Sequence, residues 1–394
     1  MRARRLVLSG RQRTLTIIND LRGNVRQTTT IARIVYSWMR PKQGFDRTKA
    51  VQLSVVYGLR AAVLLASVAM AQQAEAACQL LQVGELPVVM LGNSPMIPAS
   101  MNGRAVQLLV DTGAARSFIW RSAAQELKLE IIQSDAKFYG AGGADTAGAV
   151  TVHDFGLGGA TIHNVRLYAT GRGSAPGNGA GVLGEDVLSH WDIEFDLSAG
   201  KIRLFVPKNC DGDQVVYWAQ RYFMTKLVSA PGDSNWLQAH VMLDGHEVVA
   251  MFDTGATRST VMSQALRQTG IQPEKSPVAA AAGYGLAGKP IDTTTAVFPT
   301  LVIGQESVQN AKLCIADLFG KDTEIRLGSN IAHSVFDNPG MVIGADFFMA
   351  HRIYVARSQG KIYFTYKGGP IFQHVEANTP APSDEAGAAD APPQ

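Results

Sequence analysis

The chain carries one stretch of sequence twice, and this constrains the possible folds more than any other feature. Val110-Asp111-Thr112-Gly113-Ala114-Ala115-Arg116-Ser117 returns as Phe252-Asp253-Thr254-Gly255-Ala256-Thr257-Arg258-Ser259. Eight residues before each Asp stands a turn glycine, Gly103 after Asn102 and Gly245 after Asp244. Downstream, Val182-Leu183-Gly184-Glu185-Asp186 answers Val342-Ile343-Gly344-Ala345-Asp346, and Gly200-Lys201-Ile202 answers Gly360-Lys361-Ile362. A single Asp-Thr-Gly is expected about a tenth of a time by chance in a chain of this length. Two in one register are the mark of an internal repeat, each copy a folding unit of its own. The copies agree at both ends, and the second is longer by 18 residues between its Asp and its later glycine. That extra length is expected within residues 311–340.

Local patterning is that of strands. Residues 105–110, 150–155, 193–197, 201–206, 247–252 and 361–366 form short runs rich in β-branched and aromatic side chains, bounded by Gly, Asn or Asp. Helix is scarce. Ser122-Ala123-Ala124-Gln125 has the form of a capping box opening a two-turn helix, and its counterpart runs from Ser263 to a stop at Gly270. The pattern predicts an all-β protein with a first lobe over 77–206, a connector over 207–235 and a second lobe over 236–373. Tyr217, Trp218, Tyr222 and Phe223 in the connector predict that it packs. Residues 374–394, rich in Ala, Pro and acids, are too apolar-poor for a core and are expected to be disordered.

Two strand-borne Asp-Thr-Gly-Ala motifs, each followed by an apolar-apolar-Gly, resemble the retropepsin-like and pepsin-like aspartic peptidases over about residues 88–370. The resemblance implies a bilobal fold, two retropepsin-like β-barrel lobes in one chain, acting as a monomer with an internal pseudo-two-fold. It implies that Asp111 and Asp253 are the catalytic acids, that Gly184 and Gly344 complete a psi-shaped loop around each, and that Thr112 and Thr254 lock the loops by hydroxyl hydrogen bonds across the axis. The substrate would be a polypeptide in extended conformation. Alternatives are a catalytically silent peptide-binding module of the same fold, and an enzyme whose lobes each dimerise with their twin on another chain.

The chemistry follows from the residue types. Two carboxyls held close cannot both ionise, so they share a proton, one acting as base and the other as acid. Neither a metal nor another cofactor is needed for such a site, and none is expected. Gly113 and Gly255 let backbone approach the carboxylates where a Cβ would intrude. Ala114 and Ala256 stand where pepsins usually carry Ser, whose hydroxyl favours the charged carboxylate. Its loss predicts a pH optimum less acidic than a pepsin's. Arg116 with Asp186, and Arg258 with Asp346, are expected to form one bracing ion pair per lobe. Flap segments are expected around Tyr139, Gly142 and Gly143 in the first lobe and Tyr284 and Gly285 in the second, where glycines permit a mobile hairpin tip. Gly283 to Gly288 also spells a dinucleotide fingerprint, but Lys289-Pro290 and three threonines follow it in place of a helix.

Charge locates a leader. The formal net charge is +3, yet residues 1–60 hold thirteen Lys or Arg against two acids. Behind Arg60 comes an uncharged apolar run to Ala71 and then Ala74-Glu75-Ala76-Ala77. A basic flank, a short apolar core and small-residue sites make an export signal, with cleavage expected after Ala76 or, second, after Ala71. About 20 apolar residues are needed to span a bilayer and this run is shorter; an uncleaved anchor or a buried helix is the alternative. Cys78 stands at a lipoprotein-like position, but Glu75 lies where such sites want an aliphatic residue. The long basic stretch suggests a start at Met39, or a transit peptide. Residues 77–394 carry 23 basic and 30 acidic side chains, which argues against a nucleic-acid face. Export to a periplasmic or secreted location would permit a disulfide, for which Cys210 with Cys314 is the candidate pair.

Overall fold

The computed structural model describes residues 77–133, 137–141, 143–171, 177, 179–228, 235–274, 291–319, 324–325, 333–334 and 339–372. The leader over 1–76, the tail over 374–394, and the candidate flap residues Gly142, Tyr284 and Gly285 lie outside them. The first copy of the repeat forms β1 (Gln79–Pro87), β2 (Val89–Leu91), β3 (Ser94–Met101), β4 (Arg104–Val110), β5 (Phe118–Trp120) and helix α1 (Arg121–Glu126). It continues with β6 (Lys137–Gly140), β7 (Gly143–Thr146), β8 (Gly148–Leu157), β9 (Ala160–Thr170), β10 (Gly181–Leu183), α2 (Glu185–Leu188), β11 (Asp192–Asp196) and β12 (Lys201–Lys208). Strand β13 (Phe223–Lys226) belongs to the connector. The second copy forms β14 (Gln238–Leu243), β15 (His246–Phe252), β16 (Thr260–Val261), α3 (Ser263–Thr269), β17 (Thr294–Ile303) and β18 (Glu306–Ile315). Its remainder is β19 (Glu324–Ile325), β20 (His333–Ser334), β21 (Met341–Ile343), α4 (Ala345–Ala350), β22 (His351–Ala356) and β23 (Lys361–Tyr366).

Each copy closes into a six-stranded barrel. In the first the order is β3-β4-β10-β5-β9-β8, shut by the pairing of β3 with β8; in the second it is β14-β15-β21-β16-β18-β17. The two barrels match strand for strand, including the parallel pairings of β4 with β10 and of β15 with β21. Hairpins open both, with Asn102-Gly103 and Asp244-Gly245 all at positive φ, the backbone that a two-residue turn between twisted strands demands. Alternation along each strand sends Leu108 and Val110, or Ala250 and Phe252, into the barrel cores. A third sheet joins the lobes in the order β1-β12-β11-β22-β23-β13, three strands from the first lobe, two from the second and β13 from the connector. The fold is therefore all-β and bilobal.

Two local expectations are corrected, and the placement of the extra length is borne out. The disulfide joins Cys78 to Cys210, while Cys314 is free and buried in β18. The cause is register: Gln79 pairs with Lys208 across β1 and β12, so the residues just outside those strands meet with Cα atoms 4.5 Å apart. The capping box does not form, because α1 begins at Arg121 and its N-cap, Trp120, makes no side-chain cap. The helix at Ser263 does stop at a left-handed Gly270. The longer second copy spends most of its extra length between β18 and β21, residues 316–340, against 171–180 in the first. Closing a loop of 132 residues, the disulfide should contribute about 2 to 5 kcal/mol. Cys210→Ser is accordingly expected to lower the denaturation midpoint measurably. Equal midpoints for the variant and the oxidised protein would contradict this.

Candidate active site

Both Asp residues sit where a barrel strand gives out. Asp111 follows β4 and donates its N–H to Leu183 O at 3.0 Å; Asp253 follows β15 and donates to Ile343 O at 2.9 Å. These bonds continue the parallel ladders of β4 with β10 and β15 with β21 by one residue, so each Asp is anchored to the strand that leads into its psi glycine. Behind each carboxylate, two backbone N–H groups converge on Oδ1. Gly113 and Ala114 bond Asp111 at 2.8 and 2.9 Å, and Gly255 and Ala256 bond Asp253 at 2.8 and 3.1 Å.

The carboxyls face one another across the lobe boundary, each lying against the other lobe's Asp-Thr-Gly glycine. Burial and the neighbouring Asp253 push Asp111 well above the ordinary carboxylate range, with the Gly113 and Ala114 N–H groups opposing. Asp253 is also raised by burial, against the hydrogen bond from Asp111 and its own backbone donors. Both residues keep some solvent exposure although their carboxyls are enclosed by protein atoms. The pair is thus built to hold one shared proton.

Each glycine of the motif meets the other lobe's acid. A Cβ on Gly113 would fall 2.4 Å from the Asp253 carboxyl carbon, and one on Gly255 would fall 2.3 Å from that of Asp111. Thr112 and Thr254, fully buried, complete the junction. The Thr112 hydroxyl donates to Phe252 O at 2.8 Å and accepts from Thr254 N–H at 3.0 Å. Reciprocally, the Thr254 hydroxyl donates to Val110 O at 2.7 Å and accepts from Thr112 N–H at 3.2 Å. Four bonds therefore cross the axis, and all involve backbone rather than running hydroxyl to hydroxyl.

The psi glycines lie against the Asp-Thr-Gly loops. A Cβ on Gly184 would come within 2.6 Å of Ala114 O, and one on Gly344 within 2.6 Å of the Arg258 carbonyl carbon. Immediately after them, Glu185 N–H bonds Ala114 O and Ala345 N–H bonds Ala256 O, both at 2.8 Å. The expected Arg ion pairs are absent: no nitrogen of Arg116 lies within 4.0 Å of an Asp186 oxygen, nor of Arg258 within 4.0 Å of Asp346. Arg116 is exposed. The carboxylates bond the next residue instead. Ser117 gives Asp186 its N–H at 2.8 Å and its hydroxyl at 2.6 Å, and the same oxygen accepts from Gly184 N–H at 2.9 Å. Ser259 repeats all three bonds with Asp346 and Gly344 at 2.8, 2.6 and 2.9 Å. Sequence reasoning missed these serines, although both copies carry them six residues after the Asp. Burial raises Asp346, with the Ser259 bonds, the Phe347 N–H and the nearby Arg258 charge opposing.

Of the flap candidates, Tyr139 and Gly143 lie in the β6–β7 hairpin, Tyr139 opposite Ala144 and Gly140 opposite Gly143. Phe138 roots it, its ring 6.1 Å from Phe118 and 4.8 Å from Tyr168. Phe138 and Ala114 pack on one apolar cluster with Met96, Leu109, Trp120 and Val182, so the hairpin rises beside the Asp111 loop. Among the described residues no group of side chains could hold a metal ion, and no helix is long and apolar enough to cross a membrane.

A solved structure, basic 7S globulin from soybean, is similar over 72% of this chain and 94% of its own, at 12% identity and a TM-score of 0.35. No curated protein matches the sequence. The sequence profile described as "Aspartyl protease" matches residues 97–187 and 239–347, one stretch in each lobe and together just over half of the chain. The chain belongs to the aspartyl protease family.

Proposed function

We propose that the protein is an exported endopeptidase that hydrolyses peptide bonds with a water activated between Asp111 and Asp253. The observation that carries this reading is the facing pair of buried carboxyls, one from each lobe, each cradled by two backbone N–H groups. In the ground state one carboxyl is charged and the other protonated. The charged one takes a proton from a water bridging the pair as that water attacks the scissile carbonyl. The protonated one hydrogen-bonds the developing oxyanion, and collapse of the tetrahedral species delivers a proton to the leaving nitrogen. Thr112 and Thr254 fix the distance between the loops, so the pair is organised before substrate arrives. The β6–β7 hairpin, with Tyr139 and Gly143, is the part placed to cover an extended peptide. The Cys78–Cys210 bond supports an oxidising, extracytoplasmic location.

One chain supplies both acids, so the enzyme is a monomer with one site per two lobes. A peptide carrying a hydroxyethylene in place of the scissile amide mimics the tetrahedral species, and calorimetry should find one such molecule bound per chain. Binding must fail in either single Asp→Asn variant. Tight binding of ordinary peptides without turnover would favour a silent binding module. One inhibitor per two chains would favour lobes paired between chains.

Activity should follow a bell in pH, bounded by the two apparent pKa values of the pair. Because Ala114 and Ala256 supply no hydroxyl to the carboxylates, the bell is displaced upward from a pepsin's. A maximum of kcat/KM near about pH 2 would contradict that displacement.

A further inference from the structure

The two lobes meet along the six-stranded sheet, and residues related by the pseudo-two-fold there differ in a consistent way. From the psi glycine onward the second lobe follows the first at an offset of 160 residues, as Gly184 with Gly344 and Gly200 with Gly360 illustrate. The axis passes through the pairing of β11 with β22, where Glu194 stands opposite its own counterpart, Tyr354. Glu194 is fully buried and is bonded by Arg203 of its own lobe and by Arg352 and Tyr217.

Among the described residues four ion pairs cross between the lobes. They are Glu185 with Arg357, Glu194 with Arg352 at 2.9 Å, Asp196 with Lys367 at 2.5 Å and Asp196 with Arg352 at 3.8 Å. In all four the carboxylate belongs to the first lobe and the cation to the second. Asp192 adds another first-lobe carboxylate that reaches across, accepting from Ser358 N–H at 3.0 Å and its hydroxyl at 2.7 Å. We propose that this partition of charge is a recognition code, by which the face of the first lobe accepts the face of the second and rejects a copy of itself.

The molecule contains its own control. The counterparts of Glu185 and Arg357 are Ala345 and Leu197, both fully buried, and α4 packs on the turn that Leu197 opens. The same junction is therefore built once from a carboxyl–guanidinium pair and once from apolar groups, and both versions hold an Asp-Thr-Gly loop by a 2.8 Å N–H bond. Charge is not required for the joint. Buried ion pairs also add little over apolar packing of the same volume. What charge adds is discrimination. Two first lobes would set Glu194 against Glu194 on the axis and Glu185 against Leu197. Two second lobes would gather Arg352, Arg357 and Lys367 with no carboxylate among them. Only the unlike pairing brings Asp111 to Asp253 with every cation answered. Burial raises the Glu185 carboxyl to about 8 against the pull of Arg357, and neutral or charged it offers that guanidinium an acceptor that Ala345 cannot.

The Asp196–Lys367 pair is the most accessible and gives the first test, on the whole chain, read by thermal unfolding. Lys367→Asp and Asp196→Lys should each lower Tm, and the double swap should recover more than half of the summed loss. A double variant whose loss equals that sum overturns the code. A second test co-expresses two whole chains. One carries Glu185→Arg with Asp196→Lys, and the other carries Arg357→Glu with Lys367→Asp. Each alone has two like faces; together they should exchange lobes and appear by native mass spectrometry as a mixed dimer. Two monomers, each as stable as the wild type, overturn the code, and if either chain fails to accumulate the first test decides alone. Neither readout depends on peptide cleavage.

Discussion

Replacing either Asp111 or Asp253 by Asn is expected to remove cleavage at every pH, lowering kcat by at least about 10³-fold with little change in KM. The amide oxygen of Asn can still accept from the Gly113 and Ala114, or Gly255 and Ala256, N–H groups that now bond Oδ1, so the loop should keep its shape. What the amide cannot do is take a proton from water. Because burial and the opposing Asp both push Asp111 upward, the native pair is held at a cost that Asn removes. Thermal stability of both variants should therefore equal or exceed the wild type. The two effects together separate chemistry from folding. If one variant kept a tenth of the activity, that Asp would have no place in the dyad.

The second large effect is expected from Gly113→Ala. The added Cβ would sit 2.4 Å from the Asp253 carboxyl carbon and 2.4 Å from its Oδ2, closer than any non-bonded contact permits. Either the loop retreats or Asp253 turns away, and a shift of about 1 Å in a catalytic group can cost about 10²-fold in rate. A loss of that size or more in kcat should be seen. Gly103→Ala is the comparison: its φ of +77° strains an Ala, but no atom lies within 4 Å of the new Cβ. That variant should lose about 1 kcal/mol of stability and keep its activity. Full activity in Gly113→Ala would mean that the two carboxyls do not approach as closely as the fold requires.

Much of this was legible in the sequence, for physical reasons that also mark the limits. The repeat announced two like units because Asp-Thr-Gly, the psi glycine and the Gly-Lys-Ile turn each sit at a strand end, where backbone geometry leaves little choice of residue. The strands could be placed because alternation and turn residues bound them. The partner of Asp186 was misread by a single position. Arg116 and Ser117 are neighbours in sequence, and only the turn of the backbone decides that the serine faces inward and the arginine outward. The disulfide was misread for a similar reason, since the pairing of β1 with β12 is a register and leaves no trace in cysteine spacing. The Thr112 and Thr254 junction needs both lobes in place before its donors and acceptors exist as a set. Charge across the lobe boundary is invisible until the 160-residue offset is laid on the six-stranded sheet.

The most direct test of the central claim is digestion of a mixed peptide library, with the products sequenced, by the wild type and by Asp111→Asn side by side. The account predicts new termini from internal cleavage with the wild type at acidic to mildly acidic pH, and none with the variant. Cleavage undiminished in Asp111→Asn, or no cleavage by the wild type at any pH, would contradict it.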